Sequence, residues 1–391
     1  MAKKIKIISL SLPYLMPVFL LLAVFKIDVD AGRGQNIRVA ILTDAKEFHL
    51  SVRGNFKVVS LPGEKVLSTW YSLPRSVITS AENGIKIAKQ EYPVARIKII
   101  PQKDSSINVD NRRYRGEIDI IQNANKSLTV INTVDVEDYV RGILYHEISH
   151  RWPLEAIKAQ AVAARTYAFY RIKNNKKNLF DVTDDIYSQV YGGSTSERYR
   201  TNLAVERTKG LVMIYNNDVL PAYYHATCAG MTEDAVQLWK TNLAPLKGVV
   251  CSFCANSPHF RWKKNFRSKD VQDKLNAKGY LLGLIKEIIV EKRNKSDRIE
   301  TLKIVTRDNQ EVVISGKDFR DIIGPNLVRS NNYAVFMKGY YFDLIGKGWG
   351  HGVGLCQWGA KEMAHERYLF EEILKFYYPG VKIVSYEAKG F

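Results

Sequence analysis

Polar and apolar residues alternate through most of residues 36 to 135. "NIRVAIL", "ARIKIIP", "RYRGEIDIIQ" and "SLTVINTV" each carry the period of two that a half-buried strand needs. "EFHLSVRGNFKVVSL" reads as a hairpin turning at Arg53-Gly54-Asn55. The period then changes. In "VEDYVRGILYHEIS", Val136, Val140, Ile143, Leu144 and Glu147 fall on one face of a 3.6-residue helix. A second helix opens at Pro153, with Glu155 supporting its N-terminus, and carries small residues at Ile157, Ala161, Ala164 and Ala168. That face suits close backbone approach and reads as scaffold under the Glu147 helix.

Further along, residues 175 to 200 are loop-rich and contain "DVTDDIYSQVYGG". A helix near 200 to 208, the strands "GLVMIY" and "VLPAYYHAT", and a cysteine-bearing loop to about 265 follow. Residues 266 to 345 show another mixed stretch, with a helix over 268 to 277, a segment near 281 to 290, and the strands "IETLKIVTR" and "EVVISG". A glycine-rich segment over 346 to 359 and the helix "YLFEEILKFYYPG" close the pattern. The expected fold is α+β: a β-rich module over 36–135 followed by a mixed body over 136–391 with a substrate cleft, the two being readable also as one unit over 36–385.

Composition narrows the setting. The chain has 391 residues, 46% of them apolar, and a formal charge of +18. Such a balance predicts a polyanionic partner: nucleic acid, an acidic membrane surface or an anionic wall polymer. Lys3, Lys4 and Lys6 precede a 19-residue apolar run over 7–25, and Val29-Asp30-Ala31 is a candidate cleavage site. Residues 1–31 therefore read as a signal peptide or signal anchor. The body is expected outside the cytoplasm, in the periplasm, cell envelope or medium, and touching membrane only through its N-terminal segment. Export removes nucleic acid from the three partners.

Glu147 breaks the apolar stripe it sits on. Desolvation and the negative end of the helix dipole both disfavour its ionised form, so a raised pKa and a general-acid role are expected. A surface Glu at a frayed helix end is the plainer alternative. His146 and His150 complete a His-Glu-x-x-His spacing. Trp152-Pro153 should end the helix close to His150, which counts against a zinc protease. Cys228, Cys251, Cys254 and Cys356 allow either two disulfides or a closed structural zinc site, with His225, His259 or His351 as substitute ligands. "GKGWGHGVGLCQWGA" has glycines enough for close backbone approach but neither a P-loop nor a dinucleotide fingerprint. Trp349 and Trp358 within it could stack on a sugar ring.

Four stretches, "VEDYVRGILYHEISHRWPLEAIKAQAVAARTYA", "SQVYGG", "YYHATCAGMTEDA" and "GKGWGHGVGLCQWGAKEMA", taken in this order, resemble the SpoIID/LytB family. The likeness spans nearly all of residues 36 to 385. The family includes a lytic transglycosylase acting on peptidoglycan glycan strands stripped of stem peptides, and a protein described as an enhancer of a wall amidase. In the former the catalytic acid is the Glu matching Glu147. The resemblance thus implies cleavage between N-acetylmuramic acid and N-acetylglucosamine to leave 1,6-anhydro ends, with Glu147 as the single acid and base. Tyr187, Ser188, Gln189 and Tyr191, with His351 and Gln357, are then the candidates for the sugar groove. A non-catalytic wall-binding protein that stimulates an amidase is the competing expectation. The residue at the position of Cys356 varies within the family, and here it occurs beside three further cysteines.

Overall fold

Both sheets of the alternating N-terminal stretch are filled from one core. The computed structural model describes residues 35–386, so the proposed signal over 1–31 lies outside the described residues. Among the described residues no helix is long and apolar enough to cross a membrane. A seven-stranded sheet runs in the order Val182–Thr183, Asn36–Ala45, Leu128–Asp135, Glu117–Gln122, Arg96–Pro101, Phe56–Ser60, Val66–Trp70. A six-stranded sheet runs Arg112–Tyr114, Ser106–Val109, Glu47–Arg53, Leu73–Ala81, Gly84–Ile87, Gln90–Tyr92. Alternation sets their inner faces: Phe48, Leu50 and Val52 are buried from one sheet, Ile97, Ile99, Ile118 and Ile120 from the other, and all join the same apolar cluster.

That shared core corrects the turn expected at Arg53-Gly54-Asn55. Strands Glu47–Arg53 and Phe56–Ser60 do not pair with each other; they belong to different sheets. Both direct apolar residues into the common interior, so the chain crosses from one sheet to the other. Gly54 makes the corner at φ +90°, where a Cβ would lie 2.6 Å from the Ser105 hydroxyl. The expected strand "VLPAYYHAT" is likewise broken, into Asp218–Val219 and Tyr224–His225. Pro221 lies between them and has no N–H for a ladder. The segment near 281 to 290 is a strand, Ile285–Arg293, and the glycine-rich stretch runs directly into a helix, Gln357–His365.

Strand Leu128–Asp135 passes without a loop into the helix Val136–Glu147. The Asp135 carboxylate caps it, accepting the Glu137 N–H at 2.9 Å. Val136, Tyr139, Val140, Ile143 and Leu144 enter the N-terminal core. The following helix, Leu154–Asn174, is buried more completely than its small-residue face predicts. Ala156, Ile157, Ala161, Ala164 and Ala168 face the first core, while Ala159, Val162 and Ala163 face a second one built with Met363, Ile373, Leu374, Tyr377 and Tyr378. A helix apolar on all sides lies inside a protein. This one is the wall between two cores.

Its one fully buried charge is Arg165, paired with Glu137. Nε and Nη2 each meet a Glu137 oxygen at 2.7 Å, Nη1 donates to the Leu211 carbonyl at 3.2 Å, and Gly210 N–H donates to Glu137 at 3.1 Å. Glu137, an acid in the first turn of its helix, is thus a buried ion-pair partner.

Residues 261–347 form a lobe with its own core around Trp262, Val271, Leu302, Phe319, Phe342 and Leu344. It holds two three-stranded sheets, Arg261–Arg267 with Tyr341–Lys347 and Tyr333–Lys338, and Ile285–Arg293 with Ile299–Thr306 and Glu311–Ser315. Arg261 and Lys347 are directly opposed, so the chain enters and leaves the lobe at one place.

Removing one member of a buried pair strands the other's charge, at about 3–5 kcal/mol. Arg165→Met should therefore lower the free energy of unfolding measured in urea by that much, and Glu137→Gln added to it should recover part of the loss. A single variant within about 0.5 kcal/mol of wild type, near what an ordinary surface substitution costs, would remove the pair from the stability of this fold.

Candidate active site

The Glu147 helix ends at Glu147 itself. Ile148 is extended, at φ −143° and ψ 144°, three residues earlier than the Trp-Pro break predicts. His150 therefore leaves the helix, and the two histidines do not share the face that a His-Glu-x-x-His metal site requires. His146 Nε2 pairs with the Ser196 hydroxyl at 2.6 Å, and burial with the nearby Arg112 and Arg198 holds its pKa below the usual range. The His150 carbonyl accepts from Arg200 Nε at 2.9 Å.

Glu147 is partly exposed at its surface yet densely surrounded by protein. Its carboxyl is pushed up to about 7 by desolvation, against two donors that pull the other way, the Val190 N–H and the Tyr224 hydroxyl. Val190 N–H lies 3.0 Å from Oε1. No other carboxylate figures among the groups that shift it. Behind it runs a polar chain. Tyr139 donates to Gln189 Oε1 at 3.0 Å, and Gln189 Nε2 donates to the Tyr224 oxygen at 3.0 Å and the Ala164 carbonyl at 3.3 Å. With its oxygen already accepting from Gln189, Tyr224 turns its proton toward Glu147. The main chain is tied as well, since Gln357 Nε2 donates to the Glu147 carbonyl at 2.9 Å.

The structure divides the six groove candidates. Tyr187 is 74% exposed and free to meet a ligand. Ser188 faces its own loop, its hydroxyl accepting the Thr183 N–H at 3.2 Å. Gln189 and Tyr191 are 1% exposed, so neither lines a surface. Gln189 orients Tyr224, and Tyr191 donates to Asn132 at 2.8 Å while packing its ring on Gly142 of the Glu147 helix, where a Cβ would come within 2.4 Å. Gln357 is buried and reaches Glu147 from behind. His351 keeps other company: its Nδ1 accepts the Val353 N–H at 3.1 Å, and its ring meets His225, Trp239 and Tyr223. Burial holds its imidazole neutral, well below the usual pKa. Trp349 and Trp358 are half-buried, the first against His259 and Arg329, the second against Trp152 and Lys361.

Tyr224 is the residue that the sequence reading passes over. It stands inside "YYHATC", where His225 and Cys228 draw the attention. The four cysteines are brought together, all free, buried, and with their sulfurs within 4.8 Å of one another. The pairing into two disulfides is not what this geometry holds. The set is complete without the substitute ligands: His225 Nδ1 pairs with the Val353 carbonyl at 3.1 Å, and His259 packs on Trp349.

A carboxyl held near 7 in the folded chain and at 4.5 in an ordinary setting keeps its proton longer when folded. Its ionisation opposes folding from about pH 4.5 upward and does so in full above about 7. Glu147→Gln should raise the melting temperature over wild type by roughly a few degrees at pH 8, and by nothing below pH 4.5. A melting-temperature difference that stays flat across that range would show that the carboxyl is not desolvated.

Residues 124–215, which hold the Glu147 helix, the buried alanine-rich helix and Gln189, match a family model described as Stage II sporulation protein (SpoIID). Residues 251–354 match a domain of unknown function, DUF8618. Over 360 residues the chain is 34% identical to an uncharacterized protein of Brachyspira hyodysenteriae, covering 92% of this chain and 95% of that one. It is 30% identical over 288 residues to a protein of Bacillus subtilis named Stage II sporulation protein D, covering 69% of this chain and 80% of the relative. A third relative, the Amidase enhancer of Bacillus subtilis, is 25% identical over 88% of this chain, which spans 52% of its length. On these matches, and with the glutamate helix, its alanine scaffold and the glycine-rich segment all in place, the chain belongs to the SpoIID/LytB family.

Proposed function

We propose that this protein acts on the bacterial cell wall as a lytic transglycosylase, exported and cutting peptidoglycan glycan strands that lack stem peptides. The observation that carries the reading is Glu147: one partly exposed carboxyl, protonated to a useful extent near neutral pH, with no second carboxylate coupled to it. Hydrolytic glycosidases of the common kind need two. A lytic reaction needs one. Glu147 donates its proton to the oxygen bridging muramic acid C1 and the next sugar, and that bond breaks. The carboxylate so formed takes the proton of the muramic acid C6 hydroxyl as its oxygen bonds to C1, closing the 1,6-anhydro ring. The proton returns to Glu147, and no water enters.

The chain's own residues support each half of that cycle. Desolvation favours the protonated acid that the first half requires. The Val190 N–H and Tyr224 hydroxyl stabilise the carboxylate present between the two transfers. Tyr187, exposed beside this loop, is the candidate for sugar contact, and the net charge of +18 suits an acidic wall. A second reading has its own support, in the relative named Amidase enhancer that matches 88% of this chain. There the protein binds the wall and stimulates another enzyme, and alone it releases nothing from denuded strands.

The deciding measurement is digestion of peptide-free glycan by the purified full chain, with anhydro-ended products counted by mass spectrometry. Glu147→Gln should lose at least about 100-fold in rate, the scale of a positioned general acid. Wild-type release by that variant would remove Glu147 from the chemistry, and no release by the wild-type chain would favour the enhancer. The rate should fall as pH rises through about 7, with no acid limb from a second carboxylate. Tyr224→Phe takes away a donor that lowers the Glu147 pKa, so its alkaline limb should move to higher pH.

A further inference from the structure

Cys228, Cys251, Cys254 and Cys356 come from three separate stretches of chain, and each is at most 1% exposed. Their sulfurs all lie within 4.8 Å of one another, with Cys228 and Cys254 at 3.4 Å. A zinc tetrathiolate with arms of about 2.3 Å has sulfur–sulfur edges of about 3.8 Å, which this cluster can meet with small shifts. Two disulfides would instead sort the sulfurs into two bonded pairs, and four sulfurs gathered within 4.8 Å of one another, all free, are not so sorted.

The surroundings are those of a thiolate site. The Cys228 N–H donates to Cys356 Sγ at 3.3 Å, and the Tyr377 hydroxyl lies 3.1 Å from Cys251 Sγ. Such outer contacts orient and stabilise metal-bound sulfur. A zinc ion with four thiolates carries a charge of about −2, which a buried site must offset. Arg298 is 2% exposed and donates to the Cys228 carbonyl at 2.9 Å and the Met231 carbonyl at 3.0 Å. Four protein ligands leave no open position, so the ion would be structural.

We propose that these four cysteines bind one Zn2+ in a closed tetrathiolate that clamps both ends of the inserted lobe to the segment lying behind Glu147. Binding is redox-neutral: the metal enters as Zn2+, four zinc–sulfur bonds form, and the thiol protons leave to solvent. Cys251 and Cys254 precede the lobe at Arg261, and Cys356 follows its exit at Lys347. The residue after Cys356 is Gln357, which donates to the Glu147 carbonyl. The metal therefore fixes the strand-to-helix junction that supports Glu147 from behind. This site stands apart from the reading of Glu147 as a catalyst.

The full chain, purified without chelator from reducing cytoplasm and from an oxidising compartment, should contain about one zinc per chain by plasma mass spectrometry. Refolding with Co2+ should give the sulfur-to-cobalt charge-transfer bands and the intense visible bands of a tetrahedral thiolate site. Titration with an organomercurial should release the zinc as four thiols react. Cys251→Ser should lower the retained zinc at least tenfold under mild chelation. Limited proteolysis keeps the test open if that variant folds poorly: metal-stripped wild type should be cut faster around Cys251–Cys254 and ahead of Cys356, and zinc should restore protection. Less than about 0.1 metal per chain together with four freely reactive thiols, or a mass four hydrogens low from two disulfides, would overturn the proposal.

Discussion

The ion pair between Glu137 and Arg165 decides where the helix that carries Glu147 can sit. Two charges removed from water cost several kcal/mol each, and only saturated geometry offsets that cost. Here it is saturated. Both carboxylate oxygens meet the guanidinium, while backbone groups at Leu211, Val205 and Gly210 take the remaining contacts. The pair joins the first turn of the Glu147 helix to the middle of the helix that separates two cores. A packed helix moves as a rod, so a slip or rotation at Glu137 would carry Glu147, about 15 Å along the axis, with it. An apolar pair of equal volume would tolerate sliding. A bidentate one does not.

Position alone would leave Glu147 either too weak or too strong an acid. Burial drives its pKa upward, and the donors from Val190 and Tyr224 hold it back. The groups hydrogen-bonded behind Tyr224 are uncharged, since Gln189 and Tyr139 stand where an acid or a base would swing the balance by its full charge. Gln189 is well suited to that place because its amide both accepts and donates. It takes the Tyr139 proton and gives one to Tyr224, so the direction of the chain of hydrogen bonds is set by covalent structure.

Periodicity carries the parts of this fold whose burial follows from one face. The N-terminal strands alternate because each has one wet side, and the Glu147 helix shows its stripe because its other side is open, so both are legible in the sequence. Alternation says nothing of which sheet a strand joins, and Arg53-Gly54-Asn55 therefore reads as a hairpin although it is a corner between sheets. The alanine-rich helix is buried all round, so its apparent narrow face understates it. Glu137 and Arg165 stand 28 positions apart, and no local pattern marks two charged residues as partners inside a core. In the site, Glu147 is conspicuous for being a polar residue on an apolar stripe. Gln189, Tyr191 and Gln357 carry the same polar groups as sugar-binding residues do, and only their burial shows that they support Glu147 instead. Cysteine spacing fits metal and disulfides equally well, and it does not tell that all four sulfurs gather in one place.

The inserted lobe shows how a third core can be added without disturbing that balance. Its ends leave from opposed positions, Arg261 and Lys347, so inserting it asks the parent fold only for two neighbouring points. Its docking is polar and local. Arg298 reaches the Cys228 and Met231 carbonyls, while Asn294 and Ser296 donate to Glu233, whose own N–H bonds to Gly352. Gly352 is required here: at φ +91° a Cβ would come within 2.6 Å of the Arg298 guanidinium. These contacts join the lobe to the loops that bear the cysteines. One route from the lobe to the acid runs along the cysteine-bearing chain, through Cys356 to Gln357 and the carbonyl it holds. The four cysteines lie on that route and bracket the lobe in sequence rather than lying within it.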